Sequence, residues 1–195
     1  MTRHIGIYIY PMAEVLDFSG PFEVFTTASR VCPDDDPFAV SLISQAGGQV
    51  VARAGYRVMS DYGIAMHPPL DVLIIAGGVH SDELDNAPVI DWITAQSKQV
   101  SMVASVCTGV FLLAQAGVCA GRRVTTHWED IPDFQRQFPQ IPVQENVRWV
   151  DEGALITSAG ISAGIDMSLH LVERLHSRAL AEKTARQMDF DWRHH

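Results

Sequence analysis

One cysteine of this chain lies where an apolar strand gives way to a helix. Residues 100–106 are apolar and rich in β-branched side chains, a pattern typical of a parallel strand covered on both faces. Residues 110–116 are typical of a buried helix that Gly117 would end. Cys107 therefore falls at the carboxyl end of a strand, the edge at which open α/β sheets bind ligands. The arrangement is that of a nucleophile elbow with cysteine in place of serine.

The chemistry expected at such a joint is nucleophilic attack by sulfur. Unpaired backbone N–H groups and the positive end of a helix dipole favour the thiolate form of Cys107. The alternative is a cysteine that is buried and only fills space. Its small or polar neighbours Ser105, Thr108 and Gly109 suit a tight turn. From the local pattern alone, both interpretations stay open.

Alternating strands and helices are predicted along the whole chain. Strands are predicted at residues 5–10, 38–44, 71–76, 100–106 and 123–126, and hairpins within residues 50–61 and 147–158. Helices are predicted at residues 22–31, 88–98, 110–116, 130–138, 162–176 and 180–189, with Ser19-Gly20-Pro21 as the start of the first. This alternation predicts a flavodoxin-like, doubly wound α/β sandwich with a mostly parallel central sheet, in one domain spanning residues 1–195.

Two further segments are expected to converge on Cys107. Gly77-Gly78 follows a central strand, and paired glycines let the backbone approach a ligand and present N–H donors as in an oxyanion hole. Asp17 follows the first strand, where it is either part of the site or an ordinary acidic residue near a helix dipole. His80, just beyond the glycines, is expected on a surface loop, with a place at the mouth of a pocket as the alternative.

Composition limits the classes of function. The chain has 14 basic and 23 acidic residues among 195, a formal net charge of −9, which disfavours nucleic acid as a direct partner. No apolar run approaches the length of a membrane span, and no signal peptide is evident. Three widely spaced cysteines do not suggest a disulfide framework, so a cytoplasmic location is expected. The acidic run at residues 34–36 is interpreted as a solvated loop, and His194-His195 as a frayed end.

Six motifs together resemble those of one protein superfamily. In chain order they are Tyr10-Pro11, Leu16-Asp17-Phe-Ser-Gly-Pro21, Ile75-Ala-Gly-Gly78, Ala104-Ser-Val-Cys107-Thr-Gly-Val, Val124-Thr-Thr-His127-Trp128 and Ser158-Ala-Gly-Ile-Ser-Ala-Gly-Ile-Asp166. The chain thereby resembles the ThiJ/PfpI superfamily of class I glutamine-amidotransferase-like proteins. The resemblance is strongest to the bacterial isocyanide hydratases, and the same elements occur in the sensor domains of AraC-type transcription regulators.

The resemblance implies roles for residues around the cysteine. Cys107 matches the nucleophile of the family, and Asp17 matches the acidic residue that isocyanide hydratases place beside it. Gly78 and Thr108 match positions where backbone amides stabilise an oxyanion or a bound ligand, and Gly77 is expected to contact substrate. An Asp17 kept neutral by burial would donate a hydrogen bond to sulfur and act as a general acid.

The later motifs imply further site residues. His127 matches a histidine that lies near the cysteine in parts of the family, although a hydrogen-bonded core histidine is its plain alternative. Ile161 and Ser162 fall on a segment near the nucleophile and are expected to bind substrate. No His-x-Glu pair late in the chain completes a Cys-His-Glu triad, so glutamine amidotransfer is not expected.

Three classes of function follow from the resemblance. The first is a cysteine-dependent hydratase or hydrolase of a small molecule, foremost the hydration of an isocyanide to an N-substituted formamide. Cys107 and Asp17 would carry this reaction without a metal or organic cofactor. The second is a non-catalytic ligand- or redox-sensing domain, and the third is a glyoxalase-like stress protein. The resemblance also implies a homodimer.

Overall fold

A seven-stranded sheet forms the centre of the protein. The computed structural model describes residues 1–33 and 36–193, so residues 34 and 35 of the acidic run and both terminal histidines lie outside the described part. The strands are β1 (Arg3–Tyr8), β2 (Phe38–Ser44), β3 (Gly48–Val51), β4 (Arg57–Ser60), β5 (Tyr62–Gly63), β6 (Val72–Ile75), β7 (Met102–Val106), β8 (Trp149–Asp151) and β9 (Leu155–Ser158). Seven of these strands form the main sheet, in the order β5-β2-β1-β6-β7-β9-β8, and β3 pairs with β4 in a separate sheet. Every neighbouring pair in the main sheet is parallel except β8 with β9.

Helices cover both faces of this sheet. They are α1 (Val15–Val31), α2 (Ser81–Leu84), α3 (Ala87–Gln96), α4 (Gly109–Gln115), α5 (Ile131–Gln137), α6 (Ala163–Leu175) and α7 (Arg178–Gln187). Helix α1 packs against α6 and α7, whereas α4 packs against α2 and α3. All residues of β6, β7 and β9 are buried, as strands covered on both faces must be. The predicted flavodoxin-like, doubly wound α/β fold is therefore confirmed.

The carboxyl ends of three strands lie side by side where the chain changes its direction of winding. Strand β1 pairs with β2 on one side and with β6 on the other. Tyr8 is in register with Ile75, and Ile75 is in register with Ser105 of β7. Open α/β sheets bind ligands in the crevice at such a switch point. The segments that follow β1, β6 and β7 therefore meet at one edge of the sheet.

Helix α1 begins earlier than the sequence predicted, at Val15. The Ser19-Gly20-Pro21 segment, predicted as the cap and first turn, lies inside the helix, so that prediction was wrong. Proline removes one backbone donor, but its fixed φ is compatible with a helix, and burial of Phe18 and Phe25 on the same helix favours continuation. Asp17 consequently lies in the first helical turn and not in the preceding loop.

The smaller elements agree with the sequence in part. The antiparallel pairs β3–β4 and β8–β9 confirm both predicted hairpins. Residues 123–126, all of them described, form no strand, which corrects the prediction there. Val124 makes only an isolated bridge with Val143, and the N–H of Thr125 donates to Oγ1 of Thr157 at 2.9 Å. The N–H of Thr125 thus bonds to a side chain, and the β pairing of this segment is limited to the single bridge at Val124. Within the described chain, no helix has the length and apolar character needed to cross a membrane.

Candidate active site

The backbone at Cys107 forms a strained joint between β7 and α4. Cys107 has φ 55°, in the left-handed region that non-glycine residues rarely adopt. Its N–H donates to the carbonyl oxygens of Ser158 at 3.2 Å and Ala159 at 3.3 Å. Its own carbonyl accepts from Oγ1 of Thr126 at 3.0 Å. Such a conformation persists only where neighbouring bonds hold it, and this is the elbow geometry that the sequence predicted.

Gly77 allows the segment after β6 to pack closely between helix α1 and the joint at Cys107. A Cβ atom at residue 77 would lie 2.6 Å from Oδ2 of Asp17 and 2.6 Å from the backbone nitrogen of Thr108. Real Cβ atoms do not approach other atoms so closely, so only glycine fits between α1 and the elbow. The N–H of Gly77 donates to Oδ2 of Asp17 at 3.1 Å. Gly77 therefore holds the carboxyl group in place and does not line the cavity described below.

The carboxyl group of Asp17 is fully buried. Its Oδ1 atom is buried and has no hydrogen-bond partner among the described residues. Burial raises the pKa of Asp17 to about 8, and the nearby charge of Glu14 also raises it. The Gly77 N–H and the interaction with Cys107 lower this pKa but do not offset burial. Asp17 is therefore neutral at neutral pH and can donate a proton.

The thiol of Cys107 is also kept protonated. Burial raises its pKa well above the ordinary value, and the charges of Asp17 and Asp130 raise it further. The backbone N–H groups of Thr108 and Ile161 act in the opposite direction. These amides thus favour a thiolate, as the sequence predicted, but they do not keep the thiol ionised in the resting protein. Desolvation outweighs the amides, because only 7% of Cys107 is exposed and α4 is a short helix.

Thr108 and Gly78 are linked by a reciprocal pair of hydrogen bonds. The N–H of Gly78 donates to Oγ1 of Thr108 at 2.8 Å, and that hydroxyl donates to the carbonyl oxygen of Gly78 at 2.9 Å. The Gly78 amide is therefore already bonded and is not free to receive an oxyanion. The amides that act on the sulfur are those of Thr108 and Ile161, and the sequence offered the latter only as a substrate contact.

A cavity of about 480 Å³ opens in front of Cys107. Among the residues that the sequence pointed to, it is lined by Gly78, Cys107, Thr108, His127 and Ile161. Ser162 does not join them: it precedes α6, is exposed, and its Oγ accepts a hydrogen bond from Nη2 of Arg148 at 3.4 Å. The structure thus brings most of the predicted residues together at one cavity, with Asp17 and Gly77 buried beside it.

His127 lies on the cavity wall and is engaged by two acidic neighbours. Its Nδ1 accepts from the N–H of Glu129 at 3.3 Å and lies 3.5 Å from Oδ2 of Asp130. A Cβ atom at Gly160 would lie 1.9 Å from the His127 ring, so glycine is needed there to seat the imidazole. His127 is therefore a cavity residue and not a core histidine.

His80 corrects another expectation. It lines the cavity instead of lying on a surface loop, and its ring lies 4.3 Å from that of Phe111, measured between ring centroids. Burial lowers the pKa of His80, so the ring is neutral at neutral pH.

The sequence assigned no chemistry to Tyr10, although it was part of a motif. Its hydroxyl is buried and makes no hydrogen bond of normal geometry among the described residues. Burial together with Asp17, Glu83 and Cys107 raises its pKa, whereas the Thr108 side chain lowers it. The neighbouring Tyr8 ring stacks on it at 6.0 Å, and the Tyr8 hydroxyl donates to Glu83 at 2.9 Å. An apolar strand that ends in two tyrosines is the only sequence signal of this buried polar group.

The described residues contain no group of three or more His, Cys, Asp or Glu side chains arranged to hold a metal ion.

The fold and this site define the DJ-1/PfpI family, whose family model matches residues 3–174. The chain belongs to this family. It is 31% identical over 191 residues to the isonitrile hydratase of Pseudomonas putida, covering 97% of this chain and 79% of that protein. It is 30% identical to the HTH-type transcriptional regulator CdhR of Pseudomonas aeruginosa, covering 96% of this chain but only 55% of the regulator.

Solved structures agree with this assignment. A ThiJ/PfpI family protein from Pseudomonas syringae superposes with a TM-score of 0.87 at 25% identity, covering 98% of this chain and 76% of that one. DJ-1beta of Drosophila melanogaster superposes with a TM-score of 0.84 at 21% identity, covering 98% of this chain and all of that one, which supports the fold alone.

Proposed function

We propose that the protein is a cysteine-dependent hydratase that converts an isocyanide to an N-substituted formamide. The observation that carries this proposal is the buried, neutral carboxyl group of Asp17 next to the thiol of Cys107, which lines a cavity. A neutral acid beside a nucleophile is the pair that protonation and attack at one carbon atom require. The similarity to an isonitrile hydratase at 31% identity supports the same chemistry.

The proposed reaction begins with addition of the thiol across the isocyanide carbon. The sulfur of Cys107 bonds to the terminal carbon of R–N≡C while Asp17 delivers a proton to that carbon. The thiol proton returns to the carboxylate of Asp17, which leaves the thioimidate R–N=CH–S–Cys107. A water molecule then adds to this carbon, and a proton passes to nitrogen. Expulsion of the sulfur, with its proton restored, gives R–NH–CHO and the starting enzyme.

The backbone around the sulfur can stabilise the negative charge that develops on it during this reaction. The N–H groups of Thr108 and Ile161 already favour negative charge on the thiol of Cys107. They would stabilise the sulfur as it departs from the tetrahedral intermediate, when its charge is greatest. The raised pKa of the resting thiol is compatible with this role, because the thiol proton is consumed in the first step.

Turnover of a simple alkyl isocyanide tests the proposal. We expect the purified protein to release the corresponding formamide, measured by chromatography, and Cys107→Ser to release none. The matched control is Cys119→Ser, which removes a thiol that is fully buried and does not line the cavity. With the unaltered protein, absence of formamide from neutral and from positively charged isocyanides alike would refute isocyanide hydration, and turnover of methylglyoxal in a parallel assay would favour the glyoxalase-like alternative.

A ligand-sensing role is the second candidate. It is favoured by the match to a transcriptional regulator, of whose length this chain spans 55%. In that role the cavity would bind a small molecule without converting it. Ligand-dependent thermal stabilisation that persists in Cys107→Ser, with no product formed by the unaltered protein, would support sensing over catalysis.

A homodimer and a cytoplasmic location stay predictions. Dimerisation is supported by exposed apolar side chains at Met12, Leu16 and Val51, which are 43%, 37% and 45% exposed. Sedimentation at micromolar concentration should give twice the chain mass, and a monomer would contradict the prediction. The three free cysteines are compatible with a reducing compartment.

A further inference from the structure

The cavity in front of Cys107 carries more negative than positive charge. Its ionisable lining consists of four carboxylates, one guanidinium and two imidazoles, namely Glu14, Glu129, Asp130, Asp133, Arg53, His80 and His127. Burial lowers the pKa of His80, so this ring adds no charge at neutral pH. The cavity is therefore polar and acidic, which is not the lining expected for an uncharged, apolar substrate.

Ion pairs offset only part of this negative charge. Glu14 lies 3.7 Å from Nε of Arg53 and forms such a pair. Asp130 lies 3.5 Å from Nδ1 of His127, but that nitrogen accepts the N–H of Glu129, so this contact is not an ion pair. Asp133 pairs with Arg136, which is not part of the lining, and Glu129 lies 3.9 Å from the same His127 nitrogen. The side chains of Glu129 and Asp133 are 65% and 54% exposed, so both are in contact with solvent at the cavity.

The thiol and the carboxylates share the same cavity. Cys107 is more than nine-tenths buried, yet it is part of the lining, as are Thr108 and Ile161, whose amides act on the sulfur. A molecule that reaches the sulfur therefore enters a cavity that the four carboxylates also line. A neutral molecule would displace water from these carboxylates without replacing its hydrogen bonds, which is unfavourable. A cation would offset this cost by electrostatic attraction to the carboxylates and would be concentrated by the field of the cleft.

We propose that the substrate of this cavity carries a positively charged amine or ammonium group. This inference rests on the proposed function, because it names the class of substrate for the same thiol. Glu129 and Asp133 are the specificity-determining residues. They act on the charge of the substrate and take no part in bond making.

Charged thiol reagents test the inference without any need for turnover. Two methanethiosulfonates of similar size are used, one with a trimethylammonium group and one with a sulfonate group. Their rates of modification at Cys107 are measured by peptide mass spectrometry, and Cys32 in the same chain serves as the internal reference. We expect the ratio of cationic to anionic rate at Cys107 to fall on the order of tenfold in Glu129→Gln/Asp133→Asn, while the ratio at Cys32 stays constant.

A matched variant separates the cavity from the overall charge of the protein. Glu182→Gln/Asp189→Asn makes the same two chemical changes at exposed residues, one in the middle of α7 and one two residues beyond its end, away from the cavity lining. We expect it to leave the rate ratio at Cys107 within about twofold of the unaltered protein, because solvent screens distant charges. The inference would be overturned if the cationic-to-anionic rate ratio at Cys107 stayed unchanged in Glu129→Gln/Asp133→Asn. It would also be overturned if the ratio fell equally in Glu182→Gln/Asp189→Asn.

A pair of substrates of equal shape then links the inference to turnover. The compounds are 2-(trimethylammonio)ethyl isocyanide and 3,3-dimethylbutyl isocyanide, which differ in charge but hardly in size. We expect kcat/KM to favour the charged compound by about tenfold or more, and Glu129→Gln/Asp133→Asn to reduce that preference. Equal kcat/KM values would overturn the charge preference while leaving the hydratase intact. Failure to convert either compound would refute the hydratase, whereas the reagent rates would still report on the charge of the cavity.

Discussion

The carboxyl group of Asp17 and the thiol of Cys107 are buried together, and each changes the pKa of the other. The charge of Asp17 raises the pKa of the thiol, and the interaction with the thiol lowers the pKa of Asp17. Burial has the larger effect on both groups and keeps both protonated at neutral pH. The pair therefore holds two protons at rest, one on the nucleophile and one on the acid. Four predictions follow from the groups in and around this pair.

Asp17→Asn should abolish most of the turnover while preserving the fold. The amide keeps the shape of the carboxyl group and can still accept from the Gly77 N–H, but it cannot deliver a proton. General acid catalysis contributes about 10²–10⁴-fold, so kcat on an active isocyanide should fall within that range. Turnover and thermal melting are measured on the same preparation. Undiminished kcat in Asp17→Asn, with Cys107→Ser inactive, would remove Asp17 from the mechanism and leave the nucleophile in place.

Asp17 should also make the protein less stable as the pH rises. Its pKa is about 8 in the folded protein against 3.8 for an ordinary carboxyl group, so between these values the folded state binds more protons than the unfolded state. Its contribution to the free energy of unfolding is therefore greatest below the lower value and falls as the pH rises, by at most about 1.4 kcal/mol per pH unit. Asp17→Asn lacks this dependence.

Urea unfolding at a series of pH values measures this effect. The free energy of unfolding of Asp17→Asn minus that of the unaltered protein should increase steadily between about pH 5 and pH 8. Contributions from all other ionisable groups largely cancel in the difference. A difference that does not change with pH would show that Asp17 has an ordinary pKa in the folded protein.

The reactivity of Cys107 should respond to Asp17 only at high pH. Near pH 6 the carboxyl group is neutral, and Asp17→Asn should alkylate with iodoacetamide at nearly the same rate as the unaltered protein. Near pH 9 the carboxylate raises the pKa of the thiol, so Asp17→Asn should react faster, by severalfold to about tenfold. Rates are read at the Cys107 peptide, with Cys32 as reference. Equal rates at both pH values would mean that the two groups do not interact.

Tyr10 and Tyr8 should respond in opposite ways to loss of their hydroxyl groups. Tyr10→Phe removes a buried hydroxyl that makes no hydrogen bond of normal geometry, so the free energy of unfolding should stay the same or increase. Tyr8→Phe removes the donor to the buried Glu83 carboxylate and should cost about 1–3 kcal/mol. Tyr10→Phe should nevertheless slow turnover by about tenfold, because the hydroxyl lies close enough to Asp17 and Cys107 to interact with the charges they acquire during the reaction.

Urea unfolding and kcat of these two variants separate the roles. Stability that falls as much in Tyr10→Phe as in Tyr8→Phe would show that the Tyr10 hydroxyl is bonded in solution. Unchanged kcat in Tyr10→Phe would show that this hydroxyl has no part in the reaction.

The fold followed from local patterns because those patterns have direct physical causes. The continuous apolar segments at β6 and β7, rich in β-branched residues, are typical of strands covered on both faces, and Gly153 between β8 and β9 sets a hairpin turn. The start of α1 could not be predicted in this way. Pro21 is a local start signal, but burial of the helix face against the rest of the protein outweighed it.

The sequence by itself determined the kind of site, whereas tertiary structure decided its protonation and its charge. A cysteine at a strand-to-helix joint, paired glycines and an early aspartate follow from residue type and order. Whether the thiol of Cys107 ionises depends on how deeply it and Asp17 are buried, and no local pattern encodes that depth. The acidic cavity depends on residues from 14 to 133 meeting at one edge of the sheet. Desolvation and electrostatic attraction act through space, so only the folded chain could reveal them.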